Sequence, residues 1–297
     1  MAASVVVSLL SSAQEFQLMQ ASDARAAGQR TGLDVEVVFC ENNAIQQIQQ
    51  LYSFIHAPED RRPAALVVEA VSSEGMERVA RNAVKAGIGW VMQQWKTEYL
   101  AALRAQHPKV PVVSVAVDEE EIGSIQARQV RALLPKGGGI LLVQGPIDSS
   151  SATRRQDGLV SGLRDSGIEI GSALRGDWTA RSAESAVMSW LRLKSTEAMR
   201  VDAVVSQNDS MASGARAAIR AGRSEWSTLP FTGCDGLPEG GRRLVSTGEL
   251  TATLIKPTTT GPAVELVART LRGQAAPPEV VLHATSHPPL ETLARRR

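Results

Sequence analysis

The chain has 297 residues, 43% of them hydrophobic, and its 32 basic and 31 acidic side chains leave a formal net charge of +1. That length exceeds the range in which a single core keeps growing, so two lobes are expected, and the balanced charge offers no footprint for a nucleic-acid backbone or an anionic membrane. Cys40 and Cys234 are too few and too far apart for a disulfide framework or a metal-ligand pattern, and the four histidines do not cluster with them.

Met1-Ala2-Ala3-Ser4 leads directly into an apolar strand, 5–10, without a basic n-region or a cleavage site. The compartment implied is cytoplasmic if Met1 is the true start and periplasmic if a leader peptide has been removed. No stretch approaches the roughly 18 apolar residues that a membrane span needs, so no insertion is expected. Strands are predicted over 5–10, 34–39, 65–69, 89–93 and 110–117, separated by helices beginning near Gln14, Asn43, Glu74 and Thr97. A second set covers 139–144, 168–174, 201–206 and 229–234, with helices near Ser149, Arg181, Ser210 and Glu239. Strands alternating with helices indicate parallel sheets covered by helices. The remaining strand 251–255, helix 262–272 and strand 280–283 are too short for a third lobe, and the chain is expected to return to the first.

The expected fold is therefore α/β, two doubly wound parallel-sheet lobes joined by a multi-strand hinge. The amino-terminal lobe takes 1–116 and about 257–282; the carboxy-terminal lobe takes 117–256 and about 283–297. In such sheets ligands meet the carboxyl ends of strands. Asn208, in Gln207-Asn208-Asp209-Ser210-Met211-Ala212, ends one strand. Asp235, in Gly233-Cys234-Asp235-Gly236, ends the next. Both residue types also cap helices, so ligand contact and capping compete as readings. No catalytic site is expected: there is no Gly-x-Ser-x-Gly elbow, phosphate-cradling Gly-x-x-x-x-Gly-Lys run or histidine metal pair. Gly137-Gly138-Gly139 precedes a strand and reads as a turn. His56, His107, His283 and His287 fall in or beside loops.

The order of elements, together with those two motifs and Arg154-Arg155-Gln156-Asp157-Gly158-Leu159, resembles the ribose-type sugar-binding proteins of bacterial ABC transporters, which have the type I periplasmic-binding-protein fold. The likeness covers nearly the whole chain. It extends to the effector-binding part of lactose-repressor-type regulators, whose amino-terminal helix-turn-helix has no counterpart here. The resemblance implies that Asn208 and Asp235 bind ligand, that Arg155 donates to sugar hydroxyls and that Trp178 packs on the ring. The plainer alternatives are an Arg155 ion pair with Asp157 or a neighbouring acid, and a surface tryptophan.

The first lobe departs from the family pattern. Where the family offers an asparagine and two aromatics after the first strand, this chain has Ala13-Gln14-Glu15-Phe16-Gln17. Only Phe16 keeps stacking chemistry, unless it is the apolar staple of the following helix. After the fourth strand an Asp-Arg pair is replaced by Met92-Gln93-Gln94-Trp95, so Gln93 and Gln94 supply neutral hydrogen bonds and Trp95 a stacking face, or Trp95 packs on its helix. Glu69 stands where the family often has asparagine. Lys256 stands where it commonly has glutamine; a lysine there pairs with Asp235 or Glu69, or meets an acidic ligand.

These expectations make the chain a solute-binding protein that closes around a monosaccharide-sized sugar, polyol or sugar acid, without cofactor or metal, read by an ABC transporter permease or a membrane receptor. The alternative is a cytoplasmic ligand-sensing regulatory protein with the same fold and no DNA-binding domain.

Overall fold

The computed structural model describes residues 3–93, 97–193 and 199–295. In chain order it forms β1 (Ser4–Leu9), α1 (Glu15–Thr31), β2 (Asp34–Phe39), α2 (Ala44–Ile55), β3 (Ala65–Val68), α3 (Met76–Lys85), β4 (Gly89–Met92), α4 (Tyr99–Gln106) and β5 (Val112–Val117). Then follow α5 (Glu119–Leu133), β6 (Gly138–Gln144), α6 (Ser150–Gly162), β7 (Ile168–Arg175), α7 (Ala180–Leu191), β8 (Ala203–Ser206), α8 (Asp209–Gly222), β9 (Phe231–Thr232) and α9 (Arg243–Ser246). The chain ends with β10 (Thr253–Ile255), α10 (Thr260–Leu271), β11 (Glu279–Leu282), β12 (Thr285–His287) and α11 (Leu290–Arg295). Two compact units result: Met1–Val117 with Thr258–Leu282, and Asp118–Pro257 with His283–Arg297.

The first unit holds a parallel sheet in the order β11-β5-β4-β3-β1-β2. Its central strands read as continuous apolar runs because both faces are covered. Leu66, Val68, Trp90 and Met92 point to one side, against Leu51 of α2, Met76 and Val79 of α3 and Leu103 of α4. Val5, Val7, Val67 and Val91 point to the other, against Ala21, Ala24 and Ala27 of α1 and Val264 and Val267 of α10.

The second unit holds a parallel sheet in the order β7-β6-β8-β9, and β10 pairs antiparallel with β12. Ile140, Leu142 and Val205 pack under α5 and α6 through Ala127, Val130 and Leu159. Leu141, Val143 and Val204 pack under α7 and α8 through Val187, Met211 and Ala215. Two glycines let α5 and α6 touch backbone to backbone. A Cβ on Gly123 would lie 2.0 Å from the Arg155 carbonyl oxygen, and one on Gly158 would lie 2.0 Å from the Glu120 carbonyl oxygen.

Several elements differ from the pattern reading. No helix was expected between the strands at 110–117 and 139–144, yet α5 fills that interval. Asp118 starts it by accepting from the Glu120 and Glu121 amides, and three acidic residues in its first turn suit the positive end of the helix dipole. β9 is only two residues long, because the Gly233 amide leaves the ladder and donates to Ala252. The helix expected near Glu239 is a wide turn over Pro238–Arg242, broken at Gly240, followed by α9. β12 and α11 were not foreseen.

Strand order reverses between β1 and β3 in the first unit and between β6 and β8 in the second. Those are the positions where neighbouring crossovers leave on opposite faces and open a place for a ligand at the carboxyl ends.

Candidate functional site

At the carboxyl end of the second unit's sheet, Gln207 joins the reversal point. The Gly145 amide, just past β6, donates to Gln207 Oε1 at 2.9 Å, and Gln207 Nε2 donates to the Ala152 carbonyl at 2.8 Å. Its backbone carbonyl accepts from Arg155 Nη1. Arg155 lies in α6, and its Nε donates to Glu119 Oε2 at 2.5 Å. The other Glu119 oxygen accepts from Lys256 Nζ at 2.9 Å. One carboxylate thus holds two cations, with side-chain exposures of 12% for Glu119, 4% for Arg155 and 11% for Lys256.

Burial alone would raise the Glu119 carboxyl. The charges and hydrogen bonds of Arg155 and Lys256 outweigh it and hold the group at about 2. Arg155 is likewise pushed upward: burial opposes its charge, but Glu119 more than compensates. Cys234 is fully buried beside this cluster, and burial pushes its thiol up to about 12 despite the nearby Arg155. It is a neutral thiol at ordinary pH.

Trp178 extends the cluster. Its indole lies across Gly145, where a Cβ would fall 2.3 Å from the ring, and the Arg155 guanidinium carbon sits 5.5 Å from the ring centroid. Asn208 tethers it: Nδ2 donates to the Trp178 carbonyl at 2.9 Å while Oδ1 caps α8 by accepting from the Met211 amide at 2.8 Å. Asp235 follows β9, half-buried, its amide bonded to Leu254 and its carbonyl accepting from the Lys256 amide. Buried Asp209 sets that loop by accepting from the Gly236 amide at 2.7 Å and Thr253 Oγ1 at 2.6 Å. Trp178 has φ 74° and Asp235 has φ 109°, left-handed conformations that only strong local packing sustains outside glycine.

In the first unit the reversal point is closed by glutamines. Gln17 accepts from the Leu10 amide at 3.0 Å and donates to Glu69 Oε2 at 3.1 Å, while Gln47 donates to Ser8 Oγ and to the Glu69 carbonyl. Gln14 occupies the capping position of α1 with no side-chain cap bond, and Phe16 is buried in the first turn. Gln93 Nε2 donates to Thr259 Oγ1, which also accepts from Gln20. Gln94 and Trp95 lie outside the described residues.

The structure thus brings Arg155, Trp178, Asn208, Asp235 and Lys256 into one neighbourhood of the second unit, and sets Gln14, Phe16 and Glu69 at the carboxyl ends of the first unit's sheet. Arg155 pairs with Glu119, an acid other than Asp157, because its side chain turns inward toward α5. Lys256 pairs with the same carboxylate, a partner the sequence reading did not name for it. Sequence reasoning missed Glu119, Gln207 as a bridging side chain, and Gln17. The signal for the first was the run Asp118-Glu119-Glu120-Glu121 directly after a strand, a helix start that went unread.

Among the described residues no helix is long and apolar enough to cross a membrane, and no group of three or more His, Cys, Asp or Glu side chains could hold a metal ion. The chain is 33% identical over 153 residues to the D-galactose/methyl-galactoside binding periplasmic protein of Haemophilus influenzae, covering 48% of this chain and 44% of that one. It is 25% identical over 227 residues to the xylitol-binding protein of Mycolicibacterium smegmatis, covering 75% of this chain and 59% of that one. The matches therefore span less than two thirds of either relative's length. A solved ABC transporter periplasmic solute binding protein of Actinobacillus succinogenes, with bound D-allose, shares the fold at TM-score 0.84 and 18% identity, covering 98% of this chain and 99% of that one. The family model for the periplasmic binding protein domain matches residues 5–274, from β1 through α10 and across both points where strand order reverses, and the chain belongs to that family of binding proteins.

Proposed function

We propose that the chain is a solute-binding protein whose two compact units act as lobes that close around a monosaccharide-sized, polyhydroxylated ligand for ABC-type uptake. The observation that carries this reading is the strained cluster at the carboxyl end of the second unit's sheet. Trp178 and Asp235 are both held at positive φ there, beside an arginine fixed in place by Glu119 and Gln207. Positive φ costs on the order of 1–3 kcal/mol at each such residue, and proteins concentrate that cost where a ligand needs a particular presentation.

The roles follow from the chemistry. Arg155 Nη2 and the Lys256 ammonium donate to hydroxyl oxygens, Asp235 and Asn208 accept from hydroxyls or orient them, and the indole of Trp178 packs on the apolar face of the ring. From the first unit, Gln14, Glu69 and Gln93 contribute polar contacts and Phe16 aromatic surface. The galactose/methyl-galactoside and xylitol relatives and the allose-bound structure support the ligand class. A micromolar dissociation constant requires about 8 kcal/mol, within reach of several charge-assisted hydrogen bonds and one stacked ring. We place the protein in the periplasm, as the family description has it, with a permease or membrane receptor reading the liganded form.

A thermal-shift screen over pentoses, hexoses, polyols and sugar acids tests the reading. A ligand at roughly 100 times its dissociation constant adds about 2.7 kcal/mol and raises the melting temperature visibly. The response should be lost in Trp178→Ala. A panel in which no compound shifts the transition, or a hit that Trp178→Ala binds equally well, removes the proposal.

A further inference from the structure

Gly176-Asp177-Trp178-Thr179 is all the chain between β7 and α7, and it carries the indole that lies across Gly145. Trp178 has φ 74°, a conformation that a residue with so large a side chain does not choose for itself. Its neighbours impose it. Asp177 Oδ1 accepts from the Thr179 amide at 3.0 Å and from Thr179 Oγ1 at 2.5 Å, so the carboxylate closes a turn with Trp178 in its middle. The Asp177 amide donates to Ser182 Oγ at 2.9 Å, which ties the turn to α7, while Asn208 holds the Trp178 carbonyl at the start of α8. Asp177 itself is exposed, so losing its carboxylate opens no cavity.

Plain helix capping is the competing role. Thr179 Oγ1 starts α7 by accepting from the Ser182 amide at 3.2 Å, and Asp177 takes the proton of that hydroxyl. The backbone separates the two roles: a cap needs Thr179 extended, as it is at φ −102° and ψ 153°, but does not need Trp178 left-handed.

We infer that Asp177 is a positioning residue of the ligand site, whose carboxylate fixes the Trp178 backbone, and through it the plane of the indole, before any ligand arrives. It rests on the proposed function for the indole's role as a ligand face, whereas the placement of the ring is measurable without ligand.

The test uses Asp177→Ala, Asp177→Asn and Asp177→Glu. Asparagine keeps an accepting oxygen at the same reach, alanine has none, and glutamate keeps the charge but carries it one methylene too far for the turn. Acrylamide quenching of tryptophan fluorescence in the unliganded protein reads the ring, with each variant repeated in a Trp178→Phe background to subtract the other tryptophans. Quenching of Trp178 should rise in Asp177→Ala and Asp177→Glu and stay at the wild-type value in Asp177→Asn. Titration calorimetry with galactose, allose, myo-inositol and xylitol reads the consequence. The dissociation constant should rise roughly tenfold in the alanine and glutamate variants, because the ligand must then order the ring and its backbone itself. It should stay near wild type in Asp177→Asn.

A capping role alone lowers the melting temperature of Asp177→Ala and leaves quenching and affinity unmoved, which overturns the inference. Looser quenching with unchanged affinity overturns it too. So does a wild-type Asp177→Glu beside a defective Asp177→Asn, since charge and not the turn would then matter. If Asp177→Ala does not fold, the asparagine and glutamate variants carry the comparison. Silence of the wild type toward all four probes removes the proposed function and this inference with it; wild-type binding with unmoved variants removes the inference alone.

Discussion

Glu119 is a carboxylate whose surroundings would neutralise it were it not clamped by Arg155 and Lys256. Its folded value, about 2, lies below the ordinary 4.5, so the stability it contributes is present above pH 4.5 and is lost as pH falls toward 2. The difference corresponds to about 3 kcal/mol as an order of magnitude. Acid titration of the unfolding free energy should therefore be steeper between pH 4.5 and 2 in the wild type than in Glu119→Gln; equal slopes would contradict the clamp. Asn208 carries two duties that substitution can separate. Asn208→Ala removes the cap on α8 and should cost about 1 kcal/mol in urea unfolding. Asn208→Ser keeps a capping oxygen but cannot reach the Trp178 carbonyl, so it should stay near wild-type stability while losing ligand affinity. The sequence made Asn208 and Asp235 visible because each follows an apolar strand directly. Glu119 was hidden for a physical reason: its meaning depends on Arg155 and Lys256, far along the chain, and no local period reports such a meeting.

The contact between α5 and α6 decides whether that clamp can form. It depends on Gly123 and Gly158, each of which takes the other helix's carbonyl oxygen where a side chain would begin. Gly158→Ala would need the backbones to separate, costing about 1–3 kcal/mol as overpacking does. It should also loosen the Arg155–Glu119 bond, so calorimetry should show weaker ligand binding together with a lower melting temperature. Unchanged values of both would show that the helices tolerate the shift. The apolar strands of both sheets were plain in the sequence, since doubly covered parallel strands read as continuous runs of Val, Leu and Ile. α5 was not, because its inward face carries Gln126 and Gln129, buried and bonded to the carbonyls of Ser206 and Thr253. Polar residues on the covered side erase the helical period that pattern reading depends on. β9 was overextended for the opposite reason: Gly233 and Cys234 are apolar enough to prolong a strand, but their backbone turns away to serve β10 and Asp209.

At the scale of the whole chain, the fold class followed from strict alternation of strands with helices, and the family match over residues 5–274 agrees with it. Connectivity is the property with the widest reach. The chain leaves its first unit after Val117, returns at Thr258 and leaves again after Leu282. β5 is finished early, but its outer neighbour β11 and the helix that covers Val113 and Val115 come from the returning segment. During synthesis, therefore, the ribosome releases an almost complete sheet whose β5 rim is bare in addition to the permanent edge at β2, with an uncovered apolar face, and the β5 rim and that face stay so while residues 118–257 emerge. The nascent protein passes through an interval of exposure to neighbouring chains that no rearrangement of the finished molecule would reveal, and its yield in a cell should depend on how well chaperones shield the β5 rim.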